Sequence, residues 1–346
     1  MQQHEVTKKQ KLLNSDGIIG EPGYAKKLVW DYNREDVAAR KSLIKEWDYY
    51  YIGNDERALC LTIADMGYIG ALSASILNFQ DLTQINKSAV CLFPMGKFKM
   101  PATTVIGDSK WSIGGVDMTF TNDGKVRRLF GRYAKFGNDG EDLEFDVTLT
   151  SFPKESMVIA TPFTKKGRFY YNQKINCMEA QGCYTLGKEK YKFSKENFAM
   201  GTLDWGRGVW TYDNTWYWGS LQTYLDDGSK FGWNIGYGFG NNDEATENML
   251  FYNGKSHKLD EVTFNIPTKG GQDDFMSPWT FTSNDNRFTM DFTPILDRYA
   301  PVNLGLFAMI PHQVFGKFNG KAILDDGTVI EVVDKLGFAE KVHNKW

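Results

Sequence analysis

Short turns built on Asn-Gly and Asp-Gly cut this chain into alternating apolar runs, and that punctuation constrains the fold more than any other feature. Asn122-Asp123-Gly124 separates residues 116–121 from 125–133, and Asn138-Asp139-Gly140 precedes a run in which Leu143, Phe145, Val147 and Leu149 alternate with Glu144, Asp146, Thr148 and Thr150. A period of two is the mark of a half-buried strand. Asp226-Asp227-Gly228, Asn253-Gly254 and Asp325-Asp326-Gly327 divide further runs in the same way. Such pairs favour hairpins because primed turns need positive φ, which Gly, Asn and Asp tolerate best. Helical periodicity is scarce. Residues 34–47 are the best helical candidate, although Ser42 onward could equally begin a strand, and 188–197 is a weaker second. With no repeat of 20–50 residues, a propeller or solenoid is disfavoured. The expected class is all-β, a sandwich or barrel with one or two short helices.

At 346 residues the chain can bury a sizeable core without metals or disulfides, since roughly 75% of unfolded surface is lost at this size. The net charge of −3 lacks the basic excess of nucleic-acid binders. No run of 18 apolar residues predicts a membrane-spanning helix. Residues 1–16 are polar and carry Lys8, Lys9 and Lys11 without the apolar core of a secretory signal, so the expected compartment is the cytoplasm. Cys60, Cys91, Cys177 and Cys183 lack C-x-x-C spacing and read as reduced thiols. Histidine spacing of the His-x-His or His-Glu-x-x-His kind is missing, so no metal is expected. Residues 187–197 are polar and lysine-rich, after which Gly and Trp become dense. The organisation read from this is an extension over 1–30, one β domain over 31–199 and a second over 200–346.

The unusual number is aromatic: 51 of 346 residues are Phe, Trp or Tyr. Trp205, Trp210, Trp216 and Trp218 crowd one stretch beside Asp204 and Arg207. On a strand Trp216 and Trp218 share a face. Such rings make an apolar wall that also steadies a cation, suited to an isoprenoid, polyketide, fatty chain or sugar face. The same rings would equally serve as the core of a domain–domain seam. If Asn253-Gly254 is a two-residue hairpin, Leu250 faces His257, Asn248 and His257 share a face, and Glu247 points to the opposite wall. His312 opens another strand with Gln313 beside it. Asp204, Glu247, Asp291, Asp297 and Glu340 are the carboxylates embedded among apolar neighbours. Desolvation would raise such an acid's pKa toward proton-donor range, whereas pairing with Arg207, Arg287 or Arg298 would make it structural.

The ordered strings 203–210 (Leu-Asp-Trp-Gly-Arg-Gly-Val-Trp), 216–220 (Trp-Tyr-Trp-Gly-Ser), Thr246-Glu247-Asn248, Pro278-Trp279, Phe292-Thr293-Pro294 and 312–316 (His-Gln-Val-Phe-Gly) resemble the family catalogued as Domain of Unknown Function 2804. The opening 13–17 and closing 340–346 fit it too. More distantly the layout is similar to proteins made of two lipocalin-like barrels: AttH-like proteins, hydroxyneurosporene synthase and fungal intramolecular Diels–Alder cyclases. That resemblance implies two calycin-type antiparallel barrels side by side, with an apolar ligand at their junction and catalysis by shape, aromatic walls and a few acids.

The functional expectation is an apolar small molecule held in a Trp-lined cleft and converted, without cofactor, by proton-assisted isomerisation, hydration or cyclisation. Asp204 or Glu247 would donate the proton, and His257 or His312 would relay it. Trp205, Trp216 and Trp218 would shield the cation, with Arg207, Asn248 and Gln313 lining the site. The competing readings are a lipid carrier without chemistry and a carbohydrate-active protein with facing carboxylates in an open groove.

Overall fold

The computed structural model describes residues 3–303 and 308–345. Two large antiparallel sheets account for nearly all of it, and the helical segments among the described residues are single 3₁₀ turns. No helix among them is long and apolar enough to cross a membrane.

The first sheet runs, in spatial order, Thr83–Leu92, Ile69–Asn78, Arg57–Asp65, Lys45–Gly53, Met200–Val209, Phe169–Leu186, Leu143–Thr150, Arg127–Tyr133, Val116–Asn122 and Ser109–Ile113. It curls into a barrel around a core that includes Leu61, Leu129, Val147, Phe169 and Trp205. The second runs Lys255–Lys258, Met249–Tyr252, Lys230–Tyr237, Asp213–Tyr224, Val329–Lys345, Ala308–Ile323, Phe288–Tyr299, Trp279–Ser283 and Val262–Asn265. It closes less completely, around Trp233, Phe281, Phe292 and Phe318. The turn signals translate into register: Asn253 and Gly254 take positive φ, and Leu250 pairs with His257 as the hairpin requires.

Residues 34–47 do not form a helix. Arg34–Asp36 and Lys41–Leu43 are 3₁₀ turns, and Lys45–Gly53 is a strand paired on both sides. Tyr49-Tyr50-Tyr51-Ile52 explains the outcome, because strand-forming side chains buried on two faces outweigh the weak helical pattern before them. The second helical candidate is likewise a strand, Glu189–Phe193, followed by the 3₁₀ turn Lys195–Asn197.

The strand Met200–Val209, which begins where a second domain was expected, hydrogen-bonds inside the first sheet to Lys45–Gly53 and Phe169–Leu186. The chain changes sheets over residues 210–212. The N-terminal stretch, from residue 3 on, packs onto both barrels. Val6, Leu12, Leu13 and Trp30 join the first core, Gly23–Ala25 pairs with Met157–Pro162, and the Gln3 side chain binds Thr246 of the second barrel.

Two apolar clusters fill the seam between the barrels. One gathers Tyr170, Met200, Trp210, Phe239 and Phe251; the other gathers Tyr49, Tyr51, Trp218, Phe315 and Phe338. Alternation decides who goes where. In Met200–Val209 the side chains of Leu203, Trp205 and Val209 enter the first core, while Met200 faces the seam. In Asp213–Tyr224, Tyr217 and Leu221 enter the second core, while Trp216 and Trp218 face the seam.

Candidate functional site

Within that apolar seam lies an island of charge. Asp204 stands between Lys174 and Tyr49 in the ladder of the first sheet; Glu340 stands between Trp218 and Gln313 in the ladder of the second. The Lys174 Nζ lies 2.8 Å from Asp204 Oδ1, 3.6 Å from Glu247 Oε2 and 4.2 Å above the Trp218 ring. Asn172 Nδ2 donates to Asp204 Oδ1 at 2.7 Å. Asn234 Nδ2 donates to the Glu247 backbone oxygen at 2.9 Å and receives, at its Oδ1, the Trp218 indole N–H at 2.6 Å. The two oxygens of Glu340 accept from Trp216 Nε1 and from Gln313 Nε2, each at 3.0 Å.

Burial sets the protonation of this group. Glu340 is pushed up to about 7, chiefly by desolvation, against the pull of the Trp216 hydrogen bond and of Arg298 and Lys174. Glu247 is also raised, by desolvation first, with Lys174 opposing and Asp204 adding repulsion. Burial works against the Lys174 charge, but Asp204 and Glu247 more than offset it and hold the ammonium above the ordinary lysine range. The Tyr170 phenol is driven well above its usual value by burial and the nearby Glu247 and Asp204. Three carboxylates thus share two cations, Lys174 and Arg298, so one bound proton brings the island to neutrality.

The island is almost fully enclosed. The Asp204 and Glu247 side chains are each 10% exposed, against 3% for Lys174. Trp47 and Trp216, both half-buried, pack against both apolar clusters. Trp47 stacks on Tyr170 (6.1 Å, 15°) and meets Trp210 edge-on at 5.5 Å; Trp216 meets Phe239 at 5.2 Å. Gly206 makes this wall possible, since a Cβ there would lie 2.0 Å from Trp47 Cζ2. Gly206→Ala is therefore expected to destabilise the protein by about 1–3 kcal/mol and to displace Trp47, read as a lowered melting temperature with altered near-UV circular dichroism. A wild-type spectrum would contradict the packing.

Farther along the seam a groove of about 1230 Å³ opens, lined by Tyr51, Ser220, Gln222, Tyr224 and Phe338 among others. It begins two residues beyond the island on each of three strands: Tyr51 after Tyr49, Ser220 after Trp218, Phe338 before Glu340. The Tyr51 and Phe338 rings, 5.9 Å apart, line the groove at this end.

Of the residues singled out from sequence, Asp204, Glu247, Glu340, Trp216, Trp218 and Gln313 meet at this island. Trp205, Arg207, Asn248, His257 and His312 do not. Trp205 and Arg207 point into the first barrel, where Arg207 donates to the Trp47 and Pro101 carbonyl oxygens and to Asp48 and lies 4.2 Å over the Trp205 ring. Asp204 and Arg207 are three apart on a strand and face opposite ways, so the pair considered between them does not form. Asn248 accepts the Gly236 amide and donates to the Asp260 carbonyl oxygen, a bridge between backbone segments. His257 accepts from the Asp325 amide at the far edge of the second sheet. His312 faces away from Gln313, sandwiched between Phe275 at 3.8 Å and Tyr299 at 4.4 Å, with Nδ1 2.7 Å from Asp297. Neither histidine lies beside Asp204 or Glu247: their partners are Asp325 and Asp297.

Lys174, the centre of the island, escaped sequence reasoning, as did Asn172, Asn234, Tyr170 and Trp47. One signal was available: Asn172, Lys174 and Asn176 alternate on one face of a strand that begins Phe169-Tyr170-Tyr171. Among the described residues no group of His, Cys, Asp and Glu is arranged to hold a metal ion.

Comparison with known proteins places the fold. A crystal structure assigned to AttH, from Nitrosomonas europaea, superposes with a TM-score of 0.55 at 12% identity, covering 91% of this chain and 97% of that one. CghA, solved with Sch210972, superposes with a TM-score of 0.53 at 10% identity, covering 98% of this chain and 97% of that one. These similarities establish a shared architecture of two lipocalin-like barrels. No curated protein matches the chain in sequence. The model of the family described as Domain of unknown function (DUF2804) matches residues 3–346, and the chain belongs to that family.

Proposed function

We propose that this protein binds an apolar small molecule at the seam between its barrels and converts it by proton transfer, with Glu340 as the acid. The observation that carries this reading is a carboxyl group poised near neutrality, at about 7, beside a Lys174-bridged carboxylate pair and under indole rings. Protonated Glu340 would give its proton to a double bond or carbonyl oxygen of the ligand. The Trp216 and Trp218 ring faces and the Asp204 and Glu247 carboxylates would stabilise the resulting cation. Loss of a different proton to a carboxylate gives isomerisation or cyclisation; addition of water followed by proton loss gives hydration. Either route returns the proton count to its starting value, so the scheme calls for no cofactor. CghA, a neighbour in fold, was solved with a small molecule, Sch210972, which accords with a ligand-holding architecture. A carbohydrate site would present two facing carboxylates in an open groove; here Asp204 and Glu247 converge on one buried ammonium.

The test is organic extraction and native mass spectrometry of protein purified from its own host, followed by incubation of the recovered compound with fresh protein. A stoichiometric apolar compound, altered by the wild type and unaltered by Glu340→Gln, is the expected result. A compound recovered unchanged with the wild type would leave a carrier. An empty protein whose tryptophan fluorescence responds to sugars alone would overturn the proposal.

A further inference from the structure

The connection that follows the edge strand Thr83–Leu92 gathers exposed large apolar side chains. Leu92, Phe93 and Met95 are 70, 54 and 38% exposed, and Val90, one step back on the same strand face, is exposed as well. Phe93 and Met95 hold left-handed backbone conformations, φ 53° and 50°, which cost non-glycine residues free energy and persist only where the surroundings impose them. The surroundings do so here. The Phe93 amide donates to the Tyr68 carbonyl oxygen at 2.8 Å and the Met95 amide to that of Gly67 at 3.0 Å. The buried Asp65 carboxylate accepts from the Gly96 amide at 2.8 Å and from the Gly67 amide at 3.1 Å. The tip is thus a braced turn that holds three large apolar side chains out in solvent. Lys97 and Lys99 follow immediately, both exposed, and residues 92–107 contain no acidic residue in a protein of net charge −3.

We infer that this tip docks the protein on a lipid bilayer, its apolar side chains entering the interface and its lysines meeting anionic headgroups. Exposed apolar residues next to exposed lysines complement the charge and polarity steps of a bilayer surface. A braced tip loses little conformational freedom on insertion, which favours binding by a small contact. The inference does not depend on the chemistry proposed above, because docking requires no ligand.

The test is flotation of the full chain with vesicles of phosphatidylcholine alone and of phosphatidylcholine with phosphatidylglycerol. The wild type is expected to float with the anionic vesicles. The combined variant Leu92→Ser/Phe93→Ser/Met95→Ser is expected to lose at least about tenfold in partitioning. Lys97→Glu/Lys99→Glu, which leaves the apolar tip and its bracing intact, should erase the preference for anionic over neutral vesicles. Wild-type protein unbound by both vesicle types would overturn the inference, as would both variants binding like the wild type. A concentration-dependent dimer abolished by the serine variant, without vesicle binding, would reassign the tip to a second copy of the chain.

Discussion

Replacing Glu340 with glutamine is expected to remove most of the fall in stability that the wild type should undergo between pH 5 and 8. Glu340 titrates at about 7 in the folded protein against an ordinary value of 4.5. Between those values the folded state keeps a proton that the unfolded state has lost, so stability declines as pH rises through the window. Two and a half pH units correspond to roughly 3 kcal/mol at full ionisation, reached above pH 7. Glutamine mimics the protonated acid in shape but cannot accept from both Trp216 Nε1 and Gln313 Nε2. One lost hydrogen bond, worth about 1 kcal/mol, should leave Glu340→Gln about 1–2 kcal/mol more stable than wild type at pH 8 and no more stable at pH 5. Glu247, also raised, leaves a residual slope of the same sign. Urea unfolding across this pH range reads the effect, and an unchanged slope would place the proton elsewhere. On a ligand that the wild type turns over, the same variant is expected to lose about 10²–10⁴ in rate.

Removing the cation should be more damaging. Lys174→Met leaves Asp204 and Glu247 facing one another without the ammonium that each now contacts. Deleting one partner of a buried ion pair typically costs about 3–5 kcal/mol, and that loss is expected at pH 8. Toward pH 5 the Glu247 carboxyl, already raised by burial, can take up a proton, so the gap between variant and wild type should narrow. Adding Asp204→Asn to Lys174→Met should also recover part of the loss by removing one of the repelling charges. A variant equally impaired at both pH values would show that Lys174 acts through packing on the Trp218 ring, not through charge.

How much of this was legible in the sequence depends on how local the information was. The hairpin at Asn253-Gly254 carries its register in two residues, and alternation in 143–150 places Leu143, Phe145, Val147 and Leu149 on the buried face. Lys45–Gly53 and Met200–Val209 misled because both faces are buried, one in a barrel and one in the seam, so apolar content no longer marks inside and outside. Parity survives even there: the opposition of Asp204 and Arg207 follows from their spacing alone. Their destinations do not, because which face of Met200–Val209 meets the second barrel is decided by strands distant in sequence. Lys174 is the extreme case. Its partners lie 30 and 73 residues away, Asp204 on another strand and Glu247 in the segment before Met249–Tyr252, and nothing near Lys174 announces them.

The island is assembled from both barrels: Lys174 and Asp204 come from the first, Glu247, Glu340 and Arg298 from the second. Duplication, shuffling or fusion of either half alone would carry buried charges away from their counter-ions and expose a wide apolar face. The passage over 210–212 is too short to act as a joint between exchangeable parts. In evolutionary terms the pair of barrels is one heritable unit, able to diversify its loops and its groove but not to trade one half for another.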